Sequence, residues 1–378
     1  MESPLSEQAV CEEWCVLRQF MPPGWQEQAR ASGALRRARG VSSADALLRV
    51  LLIHLAAGCS LAETAVRARQ AGLAELSAVA LFKRLQAAEE WLRWLAAQER
   101  RLLAMGVPAT NRRLRAVDAT AVSEPGSTGT DWRIHYAINL TDLQCDFFEL
   151  TDVRGGETWR RIPVAKGDVL LGDRIYANPA GVEHVLRAGG DVIVRLNLNS
   201  LPLYDQGGQK LDVLKLLRRL RVGEICDLPA WVCPPDGPAR QGRLIALRRS
   251  AAATRRARKI LARKASKQQK RVSPRSWEAA KYFVLWTSLP ASLAAAEILE
   301  FYRCRWQIEL SFKRMKSILG LGHLPKKDPG SARAWLHGKL LTSLLVERII
   351  QEADAFSPWG YRVEAPPESM ARGRVRSS

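Results

Sequence analysis

The sequence predicts an all-α N-terminal domain followed by a mixed α/β domain. Apolar residues recur at helical spacing from residue 42 to residue 105, and after Gly106-Val107-Pro108 they alternate with a period of two. Three successive strand patterns then precede strands that are separated by helices. This order is typical of a mixed sheet, antiparallel at first and then parallel, with helices packed on it.

The composition predicts a polyanionic partner. The 378 residues, 47% of them hydrophobic, can bury a large core, and their number predicts two or three domains. The chain has 58 basic and 38 acidic residues, which gives a formal net charge of +20. A protein that neutralises phosphates releases their condensed counterions, so nucleic acid is the first expectation. An anionic membrane surface is the alternative.

The sequence contains no pattern typical of a membrane span, a secretion signal or a zinc site. The most apolar stretch, residues 47–57, is too short to cross a bilayer and includes Arg49 and His54. The N-terminus is acidic, whereas secretion signals begin with basic residues. Seven cysteines without a C-x-x-C pair describe neither a disulfide framework nor a zinc site. We therefore predict no membrane partner and a reducing, cytoplasmic environment.

Three short helices are predicted after residue 42. Each begins at a serine that can cap the first turn, and the first two end at a glycine: Ser42 or Ser43, Ser60 and Ser77 begin them, and Gly58 and Gly72 end them. Three such helices resemble a helix-turn-helix module, in which Lys83 and Arg84 would approach DNA. An ordinary helical bundle is the alternative. A fourth helix, 87–105, is expected to pack on the other three.

The second domain begins with elements in the order strand, strand, strand, helix, strand, helix, strand. Their predicted ranges are 114–118, 132–140, 146–150, 155–164, 168–173, 180–188 and 191–196. The second of these alternates strictly between large apolar residues and smaller or polar ones, which is typical of a strand.

Regularity weakens between residues 197 and 288, where only 242–248 and 282–286 have strand-like patterns. The stretch 239–277 contains no acidic residue, and 248–275 holds twelve lysines or arginines. Such an internal run would repel itself unless an anion neutralised it, so a contact with the DNA backbone is favoured over an idle solvated loop. We interpret this region as an inserted, β-rich and basic subdomain.

The most informative segment is 301–322, which contains Tyr302, Arg305, Glu309 and Lys316. In a helix that turns by about 100° per residue, the last three lie at about 300°, 340° and 320° from Tyr302, so all four share one face. Apolar residues on an adjoining arc predict a buried stripe: Phe301, Ile308, Phe312, Met315 and Leu319. Two cations beside one carboxylate suit a phosphate backbone and a metal, although a solvated salt-bridge face is the alternative.

Two upstream acids can complete a site with Glu309. Asp118 and Asp173 are each predicted at the end of a strand, and sites assemble at strand ends in open sheets. Three converging carboxylates would hold two Mg²⁺ ions, because hard divalent cations prefer oxygen ligands. Two such ions activate the attacking oxygen and stabilise the departing one in phosphoryl transfer. Taken singly, Asp118 or Asp173 would more often be a turn or cap residue.

The unbroken spacing of Tyr302, Arg305, Glu309 and Lys316 resembles the motif of bacterial insertion-sequence transposases of the DDE class. The surroundings of the three acids are similar to that family as well: Val117-Asp118-Ala119-Thr120, Gly172-Asp173-Arg174-Ile175-Tyr176-Ala177 and Arg305-Trp306-Gln307-Ile308-Glu309. The resemblance covers about residues 42–361. The tail after Tyr361 does not match the family and is predicted to be disordered.

The resemblance implies a ribonuclease-H-like catalytic core with a β-rich insertion, preceded by the all-α N-terminal domain. We predict a helical DNA-binding domain at 1–108, the catalytic core at 109–200 plus 289–322, the basic insertion at 201–288, and a C-terminal helical segment with the disordered tail at 323–378.

The resemblance also implies the roles of the site residues. The residues expected to act in catalysis and to bind two Mg²⁺ ions, for which Mn²⁺ can substitute, are Asp118, Asp173 and Glu309. The residues expected to contact DNA are Tyr302, Arg305, Trp306, Lys313 and Lys316, joined by Lys83 and Arg84 of the N-terminal helices. Trp306 would stack on a base, which contributes roughly 1–3 kcal/mol, or pack in the core.

Family members cut DNA at transposon ends by hydrolysis, and the freed 3′ hydroxyl then attacks target DNA. The implied partner is double-stranded DNA, both transposon ends and target, bound by a homodimer in a paired-end complex in the bacterial cytoplasm near the nucleoid. Two other functions stay open. One is a non-catalytic DNA-binding regulator of the element, and the other is a metal-dependent nuclease with the same core fold.

Overall fold

The structure is a computed structural model that describes residues 14–105, 112–322, 324–325 and 327–354. The predicted break at Gly106-Val107-Pro108 and the predicted disordered tail lie outside these residues. The described chain forms two compact units. The helical unit consists of the residues up to Leu103 together with those from Asp328, and the sheet unit consists of Ala104–Lys327.

After a helical stretch at 14–19, the helical unit contains helices α1 (Trp25–Ala31), α2 (Ala44–Leu55), α3 (Leu61–Gln70), α4 (Ala78–Ala87) and α5 (Glu89–Met105). The predicted serine caps are confirmed, because the side chains of Ser43, Ser60 and Ser77 each accept a backbone hydrogen bond in the first turn, at 3.0, 3.1 and 3.2 Å. Gly58 and Gly72 follow the first two capped helices with φ of 71° and 62°, the left-handed conformation that favours glycine.

The core of the helical unit lies between the capped helices and a long C-terminal helix, Pro329–Asp354. The C-terminal helix contacts both α2 and α4, and it approaches α2 closely because Gly338 lies against Leu55. Leu51 and Leu81 are fully buried in the same unit. The use of α4 to read DNA, as in a helix-turn-helix module, stays a prediction.

The sheet unit is built on one eight-stranded mixed sheet in the order β3-β2-β1-β4-β5-β8-β7-β6. The strands are β1 (Arg113–Val122), β2 (Trp132–Asn139), β3 (Cys145–Asp152), β4 (Asp168–Gly172), β5 (Asp191–Arg195), β6 (Ile225–Val232), β7 (Arg240–Arg248) and β8 (Tyr282–Thr287). β1, β2 and β3 are antiparallel, and β1, β4 and β5 are parallel. The predicted mixed sheet is thus confirmed.

Both faces of the sheet are covered. Val169 and Leu171 of β4 belong to one hydrophobic cluster, and Leu170 between them belongs to the other. Such alternation follows from the two-residue period of a strand. The described helices of the sheet unit are α6 (Pro179–Arg187), α7 (Val213–Leu217), α8 (Ala251–Lys267), α9 (Pro274–Ala279), α10 (Ala295–Arg303) and α11 (Trp306–Ser317).

The predicted helix at 155–164 is wrong. Only a single 3₁₀ turn, Trp159–Arg161, forms there. The indole of Trp159 is fully buried and its Nε1–H donates to the carbonyl of Tyr176 at 2.8 Å, so this segment is fixed by a tertiary contact rather than by helical hydrogen bonds.

The region 201–288 extends the core sheet. β8 pairs with β5, β7 pairs with β8, and β6 pairs with β7, so all three strands of the predicted insertion continue the sheet that contains β1. The basic run forms helix α8, which begins at the cap residue Ser250 and buries none of its side chains. None of the helices in the described ranges is both long and apolar enough to cross a membrane.

The prediction of one continuous helix over 301–322 is also wrong. The segment divides into α10 and α11 at Cys304 and Arg305. The backbone tightens there, because Arg305 N–H donates to the carbonyl of Tyr302 at 3.1 Å and Ile308 N–H donates to that of Arg305 at 3.2 Å, both three residues back. The predicted apolar stripe is confirmed where Ile308, Phe312 and Met315 are buried.

Candidate active site

Two of the predicted acids lie at the same edge of the sheet. Asp118 lies within β1 rather than at its end, which corrects the expectation from sequence. The parallel pairing of β1 with β4 ends at Ala116 and Leu171, however, so β1 continues past the carboxyl end of β4 while it is paired only with β2. Asp173 follows β4 directly. Both carboxylates therefore lie where the parallel part of the sheet stops.

Arg305 brings Asp118 and Glu309 together. Its Nη1 lies 3.2 Å from Oδ2 of Asp118, and its Nη2 donates to Oε1 of Glu309. The Arg305 side chain is only 13% exposed, whereas that of Glu309 is 59% exposed. The guanidinium therefore bridges a carboxylate on the sheet and a carboxylate on α11.

The electrostatics of Asp118 reflect both neighbouring acids. Its pKa is raised to about 6, chiefly by burial, and the negative charges of Asp173 and Glu309 contribute to the increase. The backbone N–H of Ala119, which donates to Oδ1 at 2.8 Å, and the charge of Arg305 oppose this increase. Asp173 and Glu309 thus lie near enough to Asp118 to raise its pKa, as members of one site do.

Tyr302 lies under the site rather than on its surface. It is 6% exposed, and its hydroxyl donates to the carbonyl of Gly172 at 3.1 Å, next to Asp173. Burial raises the pKa of Tyr302 to about 12, so the phenol keeps its proton at neutral pH. Its ring also lies 5.9 Å from the guanidinium carbon of Arg305. In this structure Tyr302 supports the residues that carry the acids.

The remaining predicted residues of this segment are on the surface. Trp306 is 52% exposed, which favours the stacking interpretation over core packing. Lys313 and Lys316 are exposed on α11, and neither pairs with a carboxylate in the described part of the chain. All three side chains are free to contact a ligand.

The two predicted DNA-contacting residues of the helical unit differ from each other. Lys83 is exposed on α4. Arg84 donates from Nη2 to the backbone carbonyls of Arg37 and Arg39, at 2.6 and 3.1 Å. Its guanidinium holds the preceding segment against α4, so Lys83 is the better placed of the two for a DNA contact.

One acid near the site was missed from sequence. Burial raises the pKa of Glu157 to about 7, and the charges of Asp118 and Asp173 contribute. Its carboxylate lies 3.5 Å from Nε of Arg133. The signal that could have drawn attention to it is the polar Gly155-Gly156-Glu157 sequence, which lies shortly after β3 in the segment that connects β3 to β4.

A cleft of about 1090 Å³ opens beside the acids. Asp173 and Glu309 lie on one side of it, and α8 forms another wall. The basic side chains that line the cleft are Arg174, Arg195, Arg249, Arg256, Lys264, Arg275 and Arg305. So many cations beside carboxylates suit a phosphate chain whose reacting group lies next to the acids.

The residues present fit a divalent metal by their chemistry but are not assembled around one. No three His, Cys, Asp or Glu side chains within the described ranges stand close enough together to hold an ion. Instead the Arg305 guanidinium occupies the position of a cation between Asp118 and Glu309. Carboxylate oxygens are ligands that Mg²⁺ and Mn²⁺ accept. In this structure the carboxylates of Asp118 and Glu309 are instead neutralised by the guanidinium of Arg305.

Comparison with known proteins gives consistent results. The family model described as a transposase DDE domain matches residues 110–345. The chain is 34% identical over 345 residues to the transposase InsL of insertion sequence element IS186A from Escherichia coli K12, which covers 89% of this chain and 93% of that protein. It is 34% identical over 346 residues to the transposase of element IS421 from Escherichia coli, with the same coverage. A transposase of element IS231F from Bacillus thuringiensis subsp. israelensis is 27% identical over 196 residues, 47% of this chain and 41% of that protein.

Proposed function

We propose that this chain, which belongs to the DDE-domain family of insertion-sequence transposases, cuts DNA at the ends of its element and joins the freed 3′ hydroxyl to target DNA. The family predicted from the sequence motif is confirmed, and with it the ribonuclease-H-like core and the function as a DNA transposase. The chain is therefore an enzyme of the nuclease and transferase kind that acts on DNA. The site residues, the metal and the assembly are our further proposals.

One observation carries the assignment of the acids. A single guanidinium, that of Arg305, pairs with both Asp118 and Glu309, and Asp173 raises the pKa of Asp118 through space. These three residues are separated by 55 to 191 positions in the chain. Their approach to one another supports a catalytic triad of carboxylates over three unrelated turn or surface acids.

We propose that Asp118, Asp173 and Glu309 hold two Mg²⁺ ions, for which Mn²⁺ can substitute. When bound, such ions activate the attacking oxygen and stabilise the departing one during in-line phosphoryl transfer. The carboxylates must be ionised to act as ligands, and Asp118, with a pKa of about 6, is ionised at neutral pH.

The motif cations would bind the DNA. Arg305 neutralises two of the acids in the free protein, and we propose that its guanidinium turns to a DNA phosphate in the complex. Lys316 and Lys313 add exposed positive charge along α11, and Trp306 offers an exposed ring for stacking on a base. Lys83 and Arg84 would contribute from the helical unit. A homodimer that pairs two element ends completes the proposal.

The test removes one carboxylate charge at a time without changing side-chain size. Asp118→Asn, Asp173→Asn and Glu309→Gln should each abolish Mg²⁺-dependent nicking of a duplex that carries the terminal inverted repeat, and gel-shift binding without metal should persist. Glu300→Gln is the matched control for Glu309→Gln. Glu300 is 65% exposed, and it pairs with Arg303 just as Glu309 pairs with Arg305.

Each outcome has a clear meaning. Nicking by any of the three variants at the rate of the control would contradict the assignment of that acid. Binding without any nicking in Mg²⁺ or Mn²⁺ by the wild-type chain would favour a non-catalytic regulator. Equal nicking of unrelated duplexes would favour a general nuclease.

A further inference from the structure

Three arginines lie at the edge of the sheet that carries the acids. Arg174 comes two residues after the end of β4, Arg195 is the last residue of β5, and Arg249 follows β7 directly. β4 and β5 are parallel, and β8 runs antiparallel to both β5 and β7. The strands β4, β5 and β7 therefore run in one direction, and their carboxyl ends bring the three arginines to the same edge as Asp173.

These arginines lack acidic partners. None of the three forms an ion pair with a carboxylate of the described residues, whereas Arg305 nearby pairs with two. The Nε of Arg195 is buried and has no hydrogen-bond partner in the protein. Burial, and then the charge of Arg195, lower the pKa of Arg249. Clustered positive charge of this kind is costly, and a bound anion would remove the cost.

An aromatic ring holds two of the arginines in place. The guanidinium carbons of Arg195 and Arg249 lie 5.3 and 5.6 Å from the ring centre of Phe283. Phe283 in turn contacts the ring of Tyr302 edge-on, with centres 5.5 Å apart. Cation–π contacts orient a guanidinium without neutralising it, so the two groups keep their full charge for a ligand.

The three arginines open into the cleft that contains the acids. Arg174, Arg195 and Arg249 line it together with Asp173 and Glu309. The same cleft continues along basic residues of the region after β7, which are exposed: Arg256, Lys264 and Arg275. A single small anion would need only the three arginines at the sheet edge, whereas the longer row of cations matches a chain of phosphates.

We propose that Arg174, Arg195 and Arg249 form a binding site for a backbone phosphate of the DNA strand that passes the catalytic acids. These arginines come from the strand ends of the sheet, so the site is distinct from the phosphate contacts expected of Arg305, which precedes α11, and of Lys316 on α11. The proposal rests on the proposed function, since it takes DNA as the substrate of the acids. The planar forks of the arginines suit the non-bridging oxygens of a phosphodiester.

The experiment maps individual phosphates. A duplex carrying the terminal inverted repeat is prepared as a series, each member with one backbone phosphate near the cleavage position replaced by an uncharged methylphosphonate. Affinity is measured without divalent metal for the wild-type chain, Arg174→Ala, Arg195→Ala and the control Arg219→Ala. Arg219 is exposed, and it neither lines the cleft nor pairs with a carboxylate of the described residues.

We expect at least one methylphosphonate to weaken binding by the wild type and by Arg219→Ala, but to have no further effect on Arg174→Ala or Arg195→Ala. The two cleft variants should also lower the slope of log affinity against log salt by about 0.9 for the phosphate that is lost, beyond any change in the control. Arg195→Lys should restore most of the slope.

The proposal is overturned if the same phosphates matter equally in all four proteins, or if Arg219→Ala changes the pattern as much as the cleft variants do. Thermal unfolding of each variant checks the fold. Removal of Arg195 also removes its contact with Phe283, whereas Arg174 is exposed, so Arg174→Ala tests the same site with less risk to the fold. Binding without metal does not depend on cleavage. A surviving activity of the acid variants would therefore refute the proposed function while leaving the phosphate map intact.

Discussion

Replacing Asp118 by asparagine should make the protein more stable at neutral pH while removing its activity. Its pKa is raised, chiefly by burial, from an ordinary 3.8 to about 6 in the folded chain. An acid whose folded pKa is raised favours folding when protonated, so this contribution is present below pH 3.8 and is lost as the pH rises through 6. At ~1.36 kcal/mol per pH unit, the ionised carboxylate costs the folded state up to about 3 kcal/mol above pH 6.

The assay is urea unfolding of the wild type and Asp118→Asn at pH 4 and pH 8. Asparagine resembles the protonated acid, so the variant should gain up to about 3 kcal/mol at pH 8 and little at pH 4. Equal free energies of unfolding at pH 8, or a larger gain at pH 4 than at pH 8, would refute the reasoning. Such a result would mean that Asp118 is solvated or fully neutralised in the folded protein.

Asp168 provides a contrast within the same sheet. Burial alone would raise its pKa, but hydrogen bonds from Arg113 and from the backbone N–H of Ala165, and the charge of Arg115, lower it overall. Its oxygens lie 2.8 Å from Arg113 and 2.9 Å from Arg115. Asp168→Asn should therefore destabilise the protein at pH 8, with a smaller loss at low pH, opposite in sign to Asp118→Asn. Opposite effects of the two substitutions on stability at pH 8 would distinguish Asp118, an acid of the proposed site, from Asp168, an acid that stabilises the fold.

Three further predictions concern the site and its support. Mn²⁺ affinity, measured by calorimetry, should fall by about tenfold from pH 7 to pH 5. The reason is that the pKa of Asp118 is about 6, so protons compete with the metal for its carboxylate. An affinity that does not depend on pH would contradict this prediction. Tyr302→Phe removes the hydrogen bond to Gly172 and should cost about 0.5–1.5 kcal/mol of unfolding free energy and slow nicking, whereas unchanged values would exclude the supporting role. Gly172→Ala would place a Cβ 2.5 Å from the ring of Trp159 and should lower thermal stability, while Gly156→Ala, with open space around it, should not.

The parts of the fold that were predicted correctly are those with a local cause. Serine caps and left-handed glycines act within one turn, so the sequence alone located the starts and ends of α2 and α3. The strands β4 and β5 lie inside the sheet and are buried on both faces, which leaves a strong apolar pattern in the sequence.

The parts that were missed depend on tertiary contacts or on exposure. β6 is largely exposed and includes Pro229, so it has no clear apolar alternation. α8 buries no side chain and therefore has no apolar stripe, although its alanines, arginines and lysines form helices readily. The break at Cys304 and Arg305 contains neither glycine nor proline. Sequence patterns give no warning of such a break, because the ion pairs of Arg305 form only in the folded chain.

The position of Arg305 explains how a site rich in carboxylates is compatible with a stable free protein. Asp118 is mostly buried, and an unpaired buried carboxylate is costly, so a nearby cation stabilises the site when Asp118 is ionised. Arg305, four positions before Glu309, supplies this cation. Its guanidinium contacts Asp118 and Glu309, two of the acids proposed to bind a divalent ion. The guanidinium and a metal cannot both occupy that position. Under the proposed function, exchange of the guanidinium for a metal would free Arg305 to contact a DNA phosphate, and assembly of the catalytic site would then be coupled to binding of the DNA backbone.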